Sequence, residues 1–143
     1  MPASAGPDRR IAVAIIRRKN GDYFVHQRLA SKRQYPSLFG VGAGGSCEPG
    51  ELPELAAARE LEEETGLSGT LTPLYSLEYR EPGTFHELFV FELTTDASPR
   101  HDASEWQWSG WLTPAELAEL ADAGKLCPDT AALLQRYWAL ERN

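Results

Sequence analysis

Hydrophobic and polar positions divide the chain into short segments of changing period. Ile11-Ala-Val-Ala-Ile-Ile16 is apolar and mostly β-branched, which predicts a buried strand. Asn20-Gly21 supplies a hairpin turn, because both residues tolerate positive φ, and Tyr23 to Arg28 returns as a second strand. A polar loop, Ala30 to Ser37, leads to Phe39 and the glycine-rich stretch Gly40-Val-Gly-Ala-Gly-Gly45. Pro53 suits the first turn of a helix that runs through the alanines to Glu64 or Thr65, where Gly66 ends it. Leu71 to Tyr79 and Phe85 to Leu93 read as strands around a turn at Glu81-Pro82-Gly83. Trp106 and Trp108 alternate in a short strand ending near Leu112, so both are expected on one sheet face. Thr113-Pro-Ala-Glu116 is a capping box, Gly124 stops that helix, and Pro128 opens a last amphipathic helix. These elements predict an α/β or α+β fold, with helices packed on a mixed sheet.

A chain of 143 residues fits one domain with a single core. The expected layout is a flexible tail over residues 1–10, followed by one domain over 11–143. No apolar run approaches the ~20 residues that span a bilayer, and the N-terminus lacks the apolar region of a signal peptide. Cys47 and Cys127 are the only cysteines, too few to staple a secreted fold, so a cytoplasmic, reducing setting is expected.

The net charge of −7 argues against a partner that is a polymeric nucleic acid. The distribution adds to this. Residues 1–33 hold eight of the fourteen Lys and Arg, against only Asp8 and Asp22, and the rest of the chain is strongly acidic. An acidic region that meets phosphates needs a divalent cation in between; composition alone favours the alternative, simple solubilising charge.

The segment from Gly45 to Leu67 carries the candidate chemistry. On the predicted helix, Glu60, Glu63 and Glu64 stand at i, i+3 and i+4 and share a face. Hard divalent cations with oxygen ligands relieve such repulsion, and Mg²⁺ also bridges to phosphates. Arg59 can pair with Glu63 one turn on. Gly42, Gly44 and Gly45 let the backbone approach an anion or a metal. A glutamate run on its own is usually a solvated helix face.

Here the run has a specific context. Gly45, Glu51, Arg59, Glu60, Glu63, Glu64 and Gly66, with aliphatic Leu61 and Leu67, match every fixed position of the Nudix box. At typical residue frequencies of roughly 5–7%, seven such matches arise by chance on the order of once in 10⁸ starts. The order of elements after residue 10 also resembles the Nudix fold, an α/β/α sandwich with a mixed sheet. The resemblance implies an Mg²⁺- or Mn²⁺-dependent hydrolase in which water attacks a phosphorus of a nucleoside diphosphate derivative. It implies Glu60 and Glu64 as principal metal ligands and Glu63 as a further ligand or proton acceptor. The Gly44 carbonyl would complete the metal shell, and Arg59 and Glu51 would orient the carboxylates.

The stretch from Gln27-Arg28 through Lys32-Arg33 and Pro36 to the glycines resembles the Nudix branch related to isopentenyl-diphosphate isomerase. That enzyme needs a cysteine just before the box glycine, where this chain has Gly44. Hydrolysis is therefore expected over allylic diphosphate isomerisation, and the intact glutamate set argues against a binding or sensor module without catalysis. Arg28, Arg33 and Gly45 are the candidate substrate-binding residues, with Lys32 beside them. Glu105, after a long loop, is a candidate for a further metal site. Trp106 and Trp108 read as core or as base-stacking residues, with core favoured. His26, His86 and His101 lack metal-ligand spacing and read as structural or exposed. Cys47 lacks a nucleophile signature. The oligomeric state is open, a homodimer included.

Overall fold

The computed structural model describes residues 6–141; residues 1–5 of the expected tail lie outside that range. Strand β1 (Arg9–Arg17) pairs in parallel with β6 (Thr84–Thr94), whose antiparallel partner is β5 (Thr72–Glu81). On its other side β1 meets β2 (Tyr23–Arg28) and β4 (Ala43–Ser46), and β2 carries β3 (Phe39–Val41) and β7 (Trp106–Leu112). Helix α1 (Pro53–Thr65) packs on β4 and β1, while α2 (Pro114–Asp122) packs on β7 and α3 (Pro128–Glu141) on β5. The resulting mixed sheet with three helices agrees with the expected α+β class.

Alternation along β1 explains the layers. Ile11, Val13 and Ile15 join Tyr23, Val25, Leu88, Val90 and the α3 residues Leu133, Leu134 and Tyr137 in one cluster. Ala12, Ala14 and Ile16 face the opposite side, toward Ala56, Ala57 and Leu61 of α1. Alanine on both partners lets α1 lie close to the sheet, which matters for its glutamates. An unbroken apolar run is what a strand covered on both faces requires.

Some elements depart from the sequence reading. The strand β1 begins at Arg9, so Arg9 and Arg10, assigned to the tail, extend the ladder opposite His86 and Glu87. The glycine-rich stretch forms two short strands, β3 and β4, broken at Gly42. There φ is +63° and an added Cβ would lie 1.8 Å from the Ala14 carbonyl oxygen, so only glycine fits. The β1–β2 turn closes with Arg18 N–H on the Asp22 carbonyl and Gly21 N–H on the Arg18 carbonyl, and positive φ falls on Gly21. Asn20 instead accepts the Asp22 N–H through its side chain.

Trp106 and Trp108 do not share a face. The β2–β7 register shifts between Gln27 and Arg28, so Gln27 opposes Trp108 while Arg28 opposes Trp106. This bulge inverts the alternation. Trp106, 3% exposed, joins Phe24 on the α1 side and stacks on His26. Trp108 is partly exposed and packs edge-on against Phe39.

Candidate active site

The loop that leads into α1 presets Arg59. Glu51 N–H donates to the Glu48 carbonyl, and Glu48 N–H donates to Glu51 Oε1 at 2.9 Å. The fixed carboxylate receives Arg59 in a two-pronged contact, Nε to Oε2 at 3.0 Å and Nη2 to Oε1 at 2.9 Å. Arg59 and the Glu48 N–H hold the Glu51 carboxyl down to about pKa 2, and the Arg59 guanidinium is raised in return. The same guanidinium donates to the Ser46 carbonyl at 3.2 Å and to Glu60 Oε1 at 3.0 Å. Its contact with Glu63 is longer, 3.5 Å, so the loop acid Glu51, rather than the helical neighbour, is the main partner of Arg59.

Glu60 and Glu64, one turn apart, lean onto the glycines of β4. A Cβ on Gly45 would stand 2.5 Å from the Glu60 carboxyl carbon; this glycine leaves the room the carboxylate fills. Glu64 Oε1 accepts the Gly44 N–H at 3.0 Å. A Cβ on Gly44 would meet the Ala12 carbonyl oxygen at 2.5 Å. Burial raises the Glu60 carboxyl, opposed by Arg59. Glu64 is pushed up to about 8, first by burial and then by the Glu60 charge, with Glu105 and Asp102 adding to it and the Gly44 N–H opposing. Glu63 projects outward, its side chain 58% exposed.

The end of α1 has no basic residue in its last turn. Arg100, from the loop before β7, supplies the charge there. Its Nη2 donates to the carbonyls of Glu62 and Glu63, and its N–H to that of Thr65. Cations at a helix C-terminus satisfy free carbonyls and oppose the dipole. Gly66 at φ +72° completes the stop. Neither Arg100 nor Asp102 stands out in the sequence, because each reaches α1 from a loop remote in the chain.

A cleft of about 360 Å³ opens beside the glutamates. Gly44, Gly45 and Glu105 line it near the acidic face, followed by Arg28 and Lys32. The sequence candidates Gly44, Gly45, Arg28 and Glu105 thus meet at one cleft next to Glu60 and Glu64. Arg28 Nε donates to the Gln34 carbonyl at 3.0 Å. Lys32 Nζ lies 2.8 Å from Glu105 Oε2. Arg33 is exposed and does not line the cleft. Gln34, Tyr35, His86, Asp129 and Thr130 also line it; they come from three separated segments, and no spacing in the sequence connects them.

The three histidines hold no common ligand position. His26 is half-buried against Trp106 at the cleft wall, faces the Gly42 carbonyl through Nδ1 at 2.7 Å, and is pushed down to about 4 by desolvation. His86 is buried and His101 is exposed. Cys47 stands in the loop after β4, outside the cleft, with its thiol raised by burial.

Among the described residues no three acidic, imidazole or thiol groups form a ready cage for a metal. The paired carboxylates of Glu60 and Glu64 nonetheless fit a hard divalent cation. Mg²⁺ is ordinarily held by one or two carboxylates and completes its shell with water and substrate phosphates. A charged Glu64 whose partner here is a backbone N–H is the kind of donor such an ion neutralises. The oxygen-only set does not suit Zn²⁺.

Comparison with known proteins names the class to which this acid-faced helix on a glycine strand belongs. The NUDIX domain profile matches residues 7–136. The chain belongs to the Nudix hydrolase family. An 8-oxo-dGTP diphosphatase of Haemophilus influenzae is 33% identical over 127 residues, 89% of each chain. An isopentenyl-diphosphate Delta-isomerase of Nocardia farcinica is 36% identical over 108 residues, 71% of this chain and 62% of its own. A solved structure from Deinococcus radiodurans, 29% identical, superposes with a TM-score of 0.77 over 94% of this chain and 86% of that one.

Proposed function

We propose that the protein is a divalent-metal-dependent pyrophosphohydrolase that cleaves the diphosphate linkage of a nucleoside diphosphate derivative. The observation that carries this reading is the placement of Glu60 and Glu64 against Gly45 and Gly44, at the edge of a cleft whose next side chains are Arg28 and Lys32. Glu60 and Glu64 would hold Mg²⁺, or Mn²⁺ in its place, with the Gly44 carbonyl, Glu63 and Glu105 as further oxygen donors. When bound, the ion polarises the diphosphate, lowers the pKa of water and neutralises charge on the leaving oxygen.

The chain's own residues do the rest. Arg59, gripped by Glu51, fixes the Glu60 carboxylate in one orientation, which preserves the alignment that attack on phosphorus requires. Arg28 and Lys32 attract the phosphates. Because Lys32 is engaged with Glu105 in the free protein, a phosphate that draws Lys32 away would release Glu105 toward the acidic face. Glu63, exposed and weakly held, is free to accept a proton at the mouth of the site. We place the activity in the cytoplasm, where the two free cysteines stay reduced.

The isomerase reading is weaker for a local reason. Gly44 occupies the position where a cysteine would be needed, and Cys47, with a raised thiol pKa, lies outside the cleft. A screen of nucleoside di- and triphosphates, nucleotide sugars, dinucleotides and prenyl diphosphates with Mg²⁺, with products resolved by chromatography, tests the proposal. Cleavage between phosphorus atoms is expected; rearrangement of a prenyl diphosphate without phosphate release would overturn it.

A further inference from the structure

The loop between β2 and β3 follows Arg28 and carries Lys32, and its backbone takes a form that its residues do not favour. Tyr35 has φ +55° and Ser37 has φ +61°, with Pro36 between them. Positive φ is unfavourable for side chains other than glycine, asparagine and aspartate. A residue before proline is restricted further, toward extended backbone. Two local bonds hold part of the turn: Leu38 N–H donates to the Tyr35 carbonyl at 3.3 Å, and Gln27 Nε2 to the Ser37 carbonyl at 3.0 Å. The Tyr35 side chain is held from outside the loop. Its hydroxyl donates to Glu81 Oε1 at 2.7 Å, and the Tyr79 hydroxyl donates to the same oxygen at 2.6 Å. Tyr79 and then Tyr35 hold the Glu81 carboxyl below the ordinary carboxylate range. The acceptor is therefore charged, and both bonds are of the stronger, charge-assisted kind. Strained segments cluster where ligands are gripped, and they persist only where their surroundings hold them.

We propose that Glu81 is a positioning residue for the diphosphate: through Tyr35 it holds the loop in its strained turn, and the turn aims Arg28 into the cleft. The link is the carbonyl of Gln34, which accepts Arg28 Nε at 3.0 Å. Among the described residues this is the one hydrogen bond of the Arg28 side chain, and both terminal nitrogens stay available to phosphate oxygens. The φ of Tyr35 is the rotation that orients the rigid peptide plane containing that carbonyl. Relaxation of the angle to negative values turns the acceptor away and releases Arg28 from its direction. Arg28, Gln34 and Tyr35 line the cleft, whereas Glu81 acts from outside it. The proposal rests on the hydrolytic reading only for what the cleft receives, a diphosphate.

Tyr35→Phe removes the hydroxyl and keeps the ring, while Glu81→Gln keeps an acceptor oxygen and removes the charge. The probe is methylenediphosphonate with Mg²⁺, a diphosphate mimic that hydrolysis does not cut, and the readout is its calorimetric Kd. Tyr35→Phe is expected to raise Kd about 10-fold, because the loop form that aims Arg28 falls to about a tenth of the molecules. Glu81→Gln should raise it about 3-fold, as a neutral acceptor replaces a charged one. In the Arg28→Gln background Tyr35→Phe should add less than about twofold, since the two residues act as one unit. A tyrosine that only stabilises the fold would lower Tm and show no such dependence on Arg28.

A Kd for Tyr35→Phe within about twofold of the parent would overturn the proposal. So would an undiminished loss in the Arg28→Gln background, or a parent protein that binds no diphosphonate. Turnover of nucleotides separates this inference from the reading beneath it. The expected pattern of affinities in a protein that hydrolyses nothing would reject hydrolysis and keep the role of Glu81. Parental affinity in Tyr35→Phe beside active hydrolysis would reject only the role of Glu81.

Discussion

Glu64→Gln separates a metal-binding acid from a merely structural one, because the two roles move stability in opposite directions. In the metal-free protein the Glu64 carboxyl is pushed up to about 8 from an ordinary 4.5, chiefly by burial and by Glu60. At ~1.36 kcal/mol per unit, full ionisation of this group works against the fold by on the order of 5 kcal/mol. The folded chain binds this proton more tightly than the unfolded one. Its contribution is therefore fully present below about pH 4.5 and has been lost once the pH passes about 8. Glutamine keeps the oxygen that accepts the Gly44 N–H and removes the ionisation. Urea unfolding of chelated protein at pH 5 and pH 8.5 should show the variant gaining several kcal/mol over the parent at the higher pH only. With saturating Mg²⁺ the same variant should lose at least ~10²-fold in kcat, about 2.7 kcal/mol of barrier. Parental kcat, or a variant less stable than the parent at pH 8.5, would refute the reasoning.

Gly45→Ala places a methyl 2.5 Å from the Glu60 carboxyl carbon; kcat should fall roughly 10- to 100-fold, as for misplacement by about 1 Å, while circular dichroism stays native. Arg59→Lys removes the two-pronged grip on Glu51. The Glu51 pKa should rise from about 2 toward 4.5 in a carboxyl NMR titration, and kcat should fall about tenfold. Glu105→Gln breaks a partly exposed contact with Lys32, so stability should change by less than ~1 kcal/mol. Its kcat should nevertheless fall with the first Mg²⁺ midpoint unchanged; an unaltered Mg²⁺ titration and kcat would deny Glu105 a catalytic role.

The elements legible in the sequence are those whose signals are local. Pro53 and Gly66 bracket α1 as expected, and the Thr113–Glu116 capping box forms both of its hydrogen bonds. The spacing of Glu60, Glu63 and Glu64 predicts a shared face but not which way it points; Glu60 and Glu64 lie against the β4 glycines while Glu63 turns outward. Strands β3 and β4 were hidden because glycine has weak strand propensity; pairing with β2 and β1 makes them strands. The opposed faces of Trp106 and Trp108 follow from a bulge against β2, which alternation within one strand cannot reveal. Arg59 choosing Glu51 over Glu63 depends on the turn at Glu48. The far end of the cleft joins β6 to α3 across more than forty residues, a relation only the folded sheet creates.

Diphosphate cleavage dependent on a metal held by Glu60 and Glu64 is tested most directly by stripping the protein with EDTA and following its best nucleotide substrate by ³¹P NMR. The substrate should stay intact in the stripped protein, and Mg²⁺ or Mn²⁺ should restore cleavage between phosphorus atoms in the parent but not in Glu60→Gln or Glu64→Gln. Full turnover after exhaustive chelation, or parental turnover by both variants in saturating Mg²⁺, would contradict it.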